Sequence, residues 1–436
     1  MARALEAGGT TVANGRPRVV VTGVGAVTPI GADAGMFWTN LLAGASGAGP
    51  ITLFDASDYP VRFACEVSDF EPERWIEQRR LRRMDRAAQL AVAAAAMAAE
   101  DARLDVARES ERIAVSVATG MGGAQTFQEL AWTLHARGPE RLNPLLIGAV
   151  LPNMVAAWVS IELGTRGPLS SPCTACAAST MAIGDALDAL RLGRADIAFA
   201  GGTEAVIMPL GIGGFAAIRA LSRRNDDPAR ASRPFDAGRD GFVLGEGAAI
   251  VVLERLEHAR GRGARIYAEL AGYGASSDAR HVTEPDPTGR NPARAVSLAL
   301  GDAGVHPDEV AYVNAHGTST PVGDATETRV VKRAFGEEKA RATPVSSIKG
   351  ATGHCVGASG GMEAIACALA VARGVLPPTV NYEEPDPECD LDYVPNEPRE
   401  APCPVAVSNS FGFGGHNACL VFREYEVVEA VTPRGA

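Results

Sequence analysis

Ser171-Pro-Cys-Thr-Ala-Cys-Ala-Ala-Ser179 leads into a helical pattern over Met181–Leu192, and the apolar run Ile197–Ala200 follows. A loop, a helix and a buried-type strand in that order form one unit of an α/β layered fold. The alternation recurs in both directions. Arg18–Thr22, Ile113–Ala118, Ala249–Leu253 and Tyr312–Asn314 read as strands. Asp85–Ala102, Met154–Leu163, Pro292–Ala303 and Gly361–Ala372 read as helices. Strands without polar alternation are covered on both faces, so helices flank the sheet on either side. Val21–Ile30 and Asn409–Asn417 read as glycine-punctuated turns beside apolar strands. The chain divides into two helix-rich halves, 17–265 and 266–426, with a seam near Gly261–Ile266. Residues 1–16 and 427–436 read as disordered tails. The polar stretch 223–241 reads as a long ordered loop.

The chain has 436 residues, 46% hydrophobic and 21% charged, an ordinary globular balance. Its formal net charge of −11 argues against general nucleic-acid binding. Of eight cysteines, only Cys173 and Cys176 are spaced as a CxxC pair. A zinc site needs two more ligands, and no second pair stands at ligand spacing. A redox reading lacks its short βαβ unit. Free thiols in a reducing cytoplasm are the simplest account. The first 16 residues lack an apolar signal core, and no stretch approaches 18 consecutive apolar residues, so neither secretion nor a membrane span is expected.

Cys176 precedes Ala177-Ala-Ser-Thr180 and the helical pattern. A thiol at a helix N-terminus feels the positive end of the macrodipole, which favours a nucleophilic thiolate. A buried structural cysteine is the competing reading. Cys173 is the weaker candidate of the two. His316, in Val313-Asn-Ala-His-Gly-Thr-Ser-Thr320, ends a strand where α/β folds place their sites. His354 closes Ser346-Ser-Ile-Lys-Gly-Ala-Thr-Gly-His354 and precedes a glycine-rich helix start. Either histidine alone could be a satisfied structural residue, but only His416 among the other five has a comparable glycine-rich setting. Lys349 and Glu363 flank His354; a carboxylate inside the apolar stretch Gly361–Ala372 needs a partner. The turn Gly412-Phe413-Gly414-Gly415 offers backbone N–H groups that can hold an oxyanion, although a glycine turn alone says little. A thiol with two imidazoles can run acyl transfer and decarboxylation at neutral pH, and so join two thioesters through a carbon–carbon bond.

Four motifs carry a resemblance: Thr174-Ala-Cys-Ala177, Asn314-Ala-His-Gly-Thr-Ser-Thr-Pro-Val-Gly-Asp324, Lys349-Gly-Ala-Thr-Gly-His354 and Asn409-Ser-Phe-Gly-Phe-Gly-Gly415. From Arg18 to Phe422 the chain resembles β-ketoacyl-acyl-carrier-protein synthases of the elongating type II kind. The resemblance implies a thiolase fold, five α/β/α/β/α layers built from two similar halves and commonly a homodimer. It implies that Cys176 takes an acyl chain, that His316 and His354 promote decarboxylation of a malonyl thioester, and that Lys349 and Glu363 organise the histidines. The N–H groups of Cys176 and Phe413 would bind the oxyanion, with Phe413 also a gate. Met121 and Phe215 would line the acyl pocket. An acidic carrier protein would dock on Arg79, Arg80, Arg82, Arg83 and Arg86, with Arg219 near the tunnel mouth. No metal or cofactor is implied beyond the carrier's phosphopantetheine arm. Three alternatives remain: a type II polyketide ketosynthase paired with a homologous chain-length subunit, a non-catalytic chain-length subunit, and a degradative thiolase or acyl hydrolase. The intact thiol disfavours the second and the two-histidine pattern the third.

Overall fold

The computed structural model describes residues 15–425. Most of both tails thus lies outside the described residues. Arg16, assigned to the N-terminal tail, is instead ion-paired to Asp302 at 3.1 Å. Strands β1 (Val19–Val27), β2 (Ala48–Pro50), β3 (Phe63–Cys65), β4 (Ile113–Ala118), β5 (Leu169–Ser170), β6 (Ile197–Glu204) and β7 (Gly247–Arg255) precede the seam near Gly261–Ile266. Strands β8 (Ala268–Ser277), β9 (Tyr312–Asn314), β10 (Val345–Ser346), β11 (Val375–Leu376), β12 (Arg399–Glu400), β13 (Val405–Gly412) and β14 (His416–Arg423) follow it.

Ten strands form one sheet in the order β10-β9-β13-β14-β8-β1-β7-β6-β4-β5. The two ends of that order match. Outward from β1, the pairings run antiparallel to β7, antiparallel to β6, then parallel to β4 and β5. Outward from β8 they run antiparallel to β14, antiparallel to β13, then parallel to β9 and β10. The halves meet where β1 pairs with β8, through Val20↔Glu269 and Val21↔Ala268. Arg18 and Arg423 both bind buried Glu269 there, at 2.6 Å and 2.8 Å.

Two helices occupy the middle layer. Ala178–Arg191 packs on β4 and β6 of its own half and on β8 and β14 of the other. Ser359–Arg373 packs on β13 and β14 and reaches β6 and β7. Helix Arg86–Asp101 covers β1, β6 and β7 from outside, and Arg290–Ala303 covers β8 and β14. The result is the expected five-layered α/β/α/β/α arrangement. Val356–Arg373 is long and apolar enough to cross a membrane but is 89% buried as a core helix.

The stretch Val21–Ile30, read as a turn, is strand through Val27. Its glycines serve close approach rather than turning. A Cβ on Gly25 would stand 2.6 Å from Ala98 N, and one on Gly23 would stand 2.7 Å from Ala102 Cβ. The absent side chains let the alanine-rich helix Arg86–Asp101 lie directly on β1. Gly272 and Gly274 of β8 do the same beneath Arg290–Ala303, where Cβ atoms would meet Ala303 Cβ at 2.8 Å and Leu298 Cβ at 2.9 Å. At Asn409–Asn417 the turn narrows to Phe413–Gly415, between β13 and β14. The loop 223–241 is held by Arg233 on Asp236 at 2.8 Å and by Arg239 on Asp386 at 2.6 Å.

Candidate active site

Small residues put Cys176 at the head of the first middle helix. Ala175 takes φ +49°, a single turn Ala175–Ala177 follows, and the helix begins at Ala178, three residues before the sequence pattern indicated. Left-handed backbone at a residue with a side chain is strained, and such strain collects at functional sites. The turn leaves the thiol facing the other half of the molecule. Cys176 Sγ lies 3.0 Å from His354 Nε2. The far nitrogen, His354 Nδ1, lies 3.0 Å from Ser359 Oγ, which fixes the ring. His316 follows β9 directly and stands edge-on to His354, with ring centroids 5.5 Å apart. The sulfur and one nitrogen from each imidazole all fall within 4.8 Å of one another. His316 Nδ1 is buried without a hydrogen-bond partner among the described residues, so it is free to serve a ligand.

Below them lies a buried ion pair. Lys349 Nζ binds Glu363 and donates to the His316 carbonyl at 2.6 Å. Ser410 Oγ donates to Glu363 at 3.3 Å and is itself 2.7 Å from Thr180 Oγ1 on the nucleophile helix. Burial and the Lys349 charge hold both imidazoles well below their usual value of 6.5, so they are neutral. Burial pushes the Cys176 thiol up to about 11, against the Lys349 charge and the N–H groups of Phe413 and Cys176. The sequence expectation of a lowered thiol pKa is therefore not met: desolvation of the sulfur is the largest influence on it.

Gly412 brings the glycine turn onto the nucleophile. A Cβ there would stand 2.8 Å from Thr174 O and 3.3 Å from Cys176 N. The Phe413 N–H consequently reaches the Cys176 sulfur. A cavity of about 480 Å³ opens above, lined among others by Cys176, Phe215, Phe242, His316, His354 and Phe413. Phe215 stacks edge-on against Phe242, which packs edge-on against His354. Met121 is exposed and does not line this cavity; its N–H donates to Glu204 at 3.2 Å. Cys173 is exposed, and its thiol donates to the Gly120 carbonyl at 3.2 Å.

The arginines separate by role. Arg86 is structural, bound to buried Glu246 at 2.7 Å, so it leaves the docking set. Arg80 binds Glu162 at 2.9 Å, and Arg79 lies 3.9 Å from Glu77. Arg82, Arg83 and Arg219 are exposed and form no ion pair among the described residues. Arg219 stands between the cavity-lining residues Ile218 and Ala220.

Sequence reasoning missed two buried carboxylates. Glu327 accepts from the His316 and Gly317 N–H groups at 2.8 Å and 2.7 Å and so grips the histidine loop. Glu204 accepts from Gly120, Met121, Thr119 and Gly357. Burial pushes each up to about 7, against these hydrogen bonds. A lone glutamate ending an apolar strand, as Glu204 does, was the only available signal.

Residues 16–259 match the family model "Beta-ketoacyl synthase, N-terminal domain", and residues 267–383 match its C-terminal domain. A relative from Synechocystis, "3-oxoacyl-[acyl-carrier-protein] synthase 2", is 49% identical over 412 residues, covering 94% of this chain and 99% of that one. A solved "ishigamide ketosynthase/chain length factor" aligns with a TM-score of 0.89 at 40% identity, covering 94% of this chain and 100% of that one. A type II polyketide acyl-carrier protein in complex with its ketosynthase aligns at 0.87 and 36% identity, with the same coverage.

Proposed function

The chain belongs to the beta-ketoacyl synthase family, and from that premise we propose how its three reactive side chains share one reaction. The protein is an acyl-transferring condensing enzyme, a 3-oxoacyl-acyl-carrier-protein synthase. Cys176 Sγ attacks the thioester carbonyl of an acyl carrier protein. The bond to the carrier's sulfur breaks, and the Cys176 proton passes through His354 to the leaving thiol. A malonyl carrier then enters. Its carboxylate–carbon bond breaks, carbon dioxide leaves, and the electron pair moves onto the enolate. Neutral His316 and His354 donate to the enolate oxygen; decarboxylation needs placed donors, not a strong base. The carbanion attacks the acyl-Cys176 carbonyl, a carbon–carbon bond forms, and the thiolate leaves. The N–H groups of Cys176 and Phe413 stabilise that oxyanion, and Lys349 with Glu363 holds both imidazoles in place. Side chains and backbone carry every step, so the scheme calls for no cofactor beyond the phosphopantetheine arm.

The supporting observation is the 3.0 Å approach of Cys176 Sγ to His354 Nε2, with His316 beside it. The test is intact-protein mass spectrometry with acyl carriers from C2 to C16, followed by malonyl carrier. Acyl mass on wild type and none on Cys176→Ala supports the scheme; equal acylation of both refutes it.

The working unit is a dimer in a cytoplasmic pathway. Support comes from the exposed apolar side chains Phe127, Trp132, Ile147 and Leu169, the last on edge strand β5. Fatty-acid elongation by a homodimer is the first reading. The ketosynthase/chain length factor neighbour favours a second, a polyketide heterodimer. Acylation only after co-expression with a homologous partner selects the second.

A further inference from the structure

We propose that Glu204 is a positioning residue for acyl-donor length, locking the Thr119–Met121 loop to the Val356–Gly357 turn. The inference rests on the condensing reading above. Glu204 ends β6 and is fully buried. Its Oε2 accepts from Gly120 N at 2.7 Å and from Gly357 N at 3.0 Å, so a single oxygen bridges two segments 237 residues apart. Its Oε1 accepts from Thr119 Oγ1 at 3.1 Å and from Met121 N at 3.2 Å. The glycines form a close cage. A Cβ on Gly120 would stand 2.5 Å from Oε2 and 2.8 Å from Val356 Cγ1, and one on Gly357 would stand 2.8 Å from Oε2.

The second segment is strained where it matters. Val356 lines the cavity with Cys176 and holds φ +40°, a conformation that β-branched residues avoid. The N–H of the next residue, Gly357, is one of the groups Glu204 holds. Releasing that bond frees Val356 to relax, and its side chain then shifts within the cavity wall. Symmetry sharpens the point. β4 and β9 occupy matching places in the two halves, and each is followed by a loop whose N–H groups end on a buried glutamate. Glu327 thereby steadies His316. The loop held by Glu204 bears no histidine but abuts the wall at Val356, so the same device is left to shape the cavity.

Glutamine is the discriminating substitution. An amide has one acceptor oxygen, whereas both carboxylate oxygens here receive two donors each. Either orientation loses a pair, and the one that puts nitrogen at Oε2 breaks the bridge. The full-length enzyme is acylated in turn with C4, C8, C12 and C16 carriers, and Cys176 acylation rates are read by mass spectrometry. Glu204→Gln is expected to change the C16-to-C4 rate ratio by about tenfold, the scale on which pocket walls discriminate chain length. Thr119→Val, nearly isosteric, removes the bond to Glu204 and the one Thr119 Oγ1 accepts from Gly122 N at 3.0 Å, both within the same loop, and is expected to shift the ratio the same way by about threefold. Where Glu204→Gln fails to fold, Thr119→Val decides. Uniform slowing of all donors, or an unchanged ratio, overturns the proposal and leaves Glu204 a fold anchor. Absence of acylation in the wild type would instead defeat the condensing reading itself.

Discussion

Replacing Lys349 by methionine keeps the length of the side chain and removes its charge from beneath both histidines. The His316 carbonyl loses its partner, and Glu363 loses its counter-charge and keeps only the Ser410 hydroxyl at 3.3 Å. Breaking one side of a buried pair costs about 3–5 kcal/mol, because the remaining charge is stranded. Glu363 can escape by taking up a proton. Burial already raises its pKa above the ordinary 4.5, and Lys349 holds it back. Without Lys349 the folded-state value climbs, and each unit of rise costs about 1.4 kcal/mol once the pH exceeds it. A carboxyl whose folded pKa is raised weighs against folding at high pH. Below 4.5 it is protonated in both states, and that penalty vanishes. The variant is therefore expected to lose about 1–3 kcal/mol at pH 5, the value of the orphaned carbonyl, and about 3–5 kcal/mol at pH 8. Urea unfolding followed by tryptophan fluorescence at both pH values measures this. The double variant Lys349→Met/Glu363→Gln should exceed the single one in stability at pH 8 and show little pH dependence. Equal destabilisation of the single variant at both pH values, or no rescue by the second change, refutes the reasoning.

Four further outcomes are open to test. His316→Ala should slow decarboxylation of malonyl carrier by about 10²–10³-fold, the usual loss for one preorganised donor, while Cys176 still acquires an acyl group; parallel loss of both would place His316 in the acylation step. Arg82→Glu with Arg83→Glu should raise KM for the carrier and leave kcat unchanged, with the difference shrinking in high salt. His258 sits between Glu254 and Glu109, both at 2.7 Å, and the Glu254 hydrogen bond first of all raises its pKa. That contribution is complete below 6.5 and lost as pH rises through the folded value, so His258→Gln should cost about 1 kcal/mol at pH 6 and almost nothing at pH 9, read by unfolding midpoints. Gly25→Ala should cost more than about 2 kcal/mol by chemical denaturation, since its Cβ would enter the helix backbone at Ala98.

Much of this was legible in the chain, and the exceptions have physical causes. Ile113–Ala118 and Tyr312–Asn314 are strands within the bounds their apolar runs indicate. β1 was cut short because glycine ordinarily signals a turn, whereas Gly23 and Gly25 are there to admit a helix. The nucleophile helix starts early because Ala178-Ser-Thr180 resembles loop until burial makes small residues necessary. Cys176, His316 and His354 stood out through their glycine-rich settings, and the fold brings them together. Glu204 and Glu327 did not stand out, since their partners are backbone N–H groups far away in sequence. Protonation was misjudged at Cys176 for the same reason: the burial that decides it belongs to the assembled site and not to the local helix end.

The nucleophile stands on one half of the sheet and both imidazoles on the other, so neither half holds a complete reagent. The reaction takes place across a joint, and the joint is broad: β1 pairs with β8, each middle helix packs on strands of both halves, and Glu204 of one half holds Gly357 of the other. An enzyme built this way ties its chemistry to its cohesion. The thiol and the imidazoles stay in register only while the core that both halves share stays packed, so activity and tertiary structure are expected to be lost together.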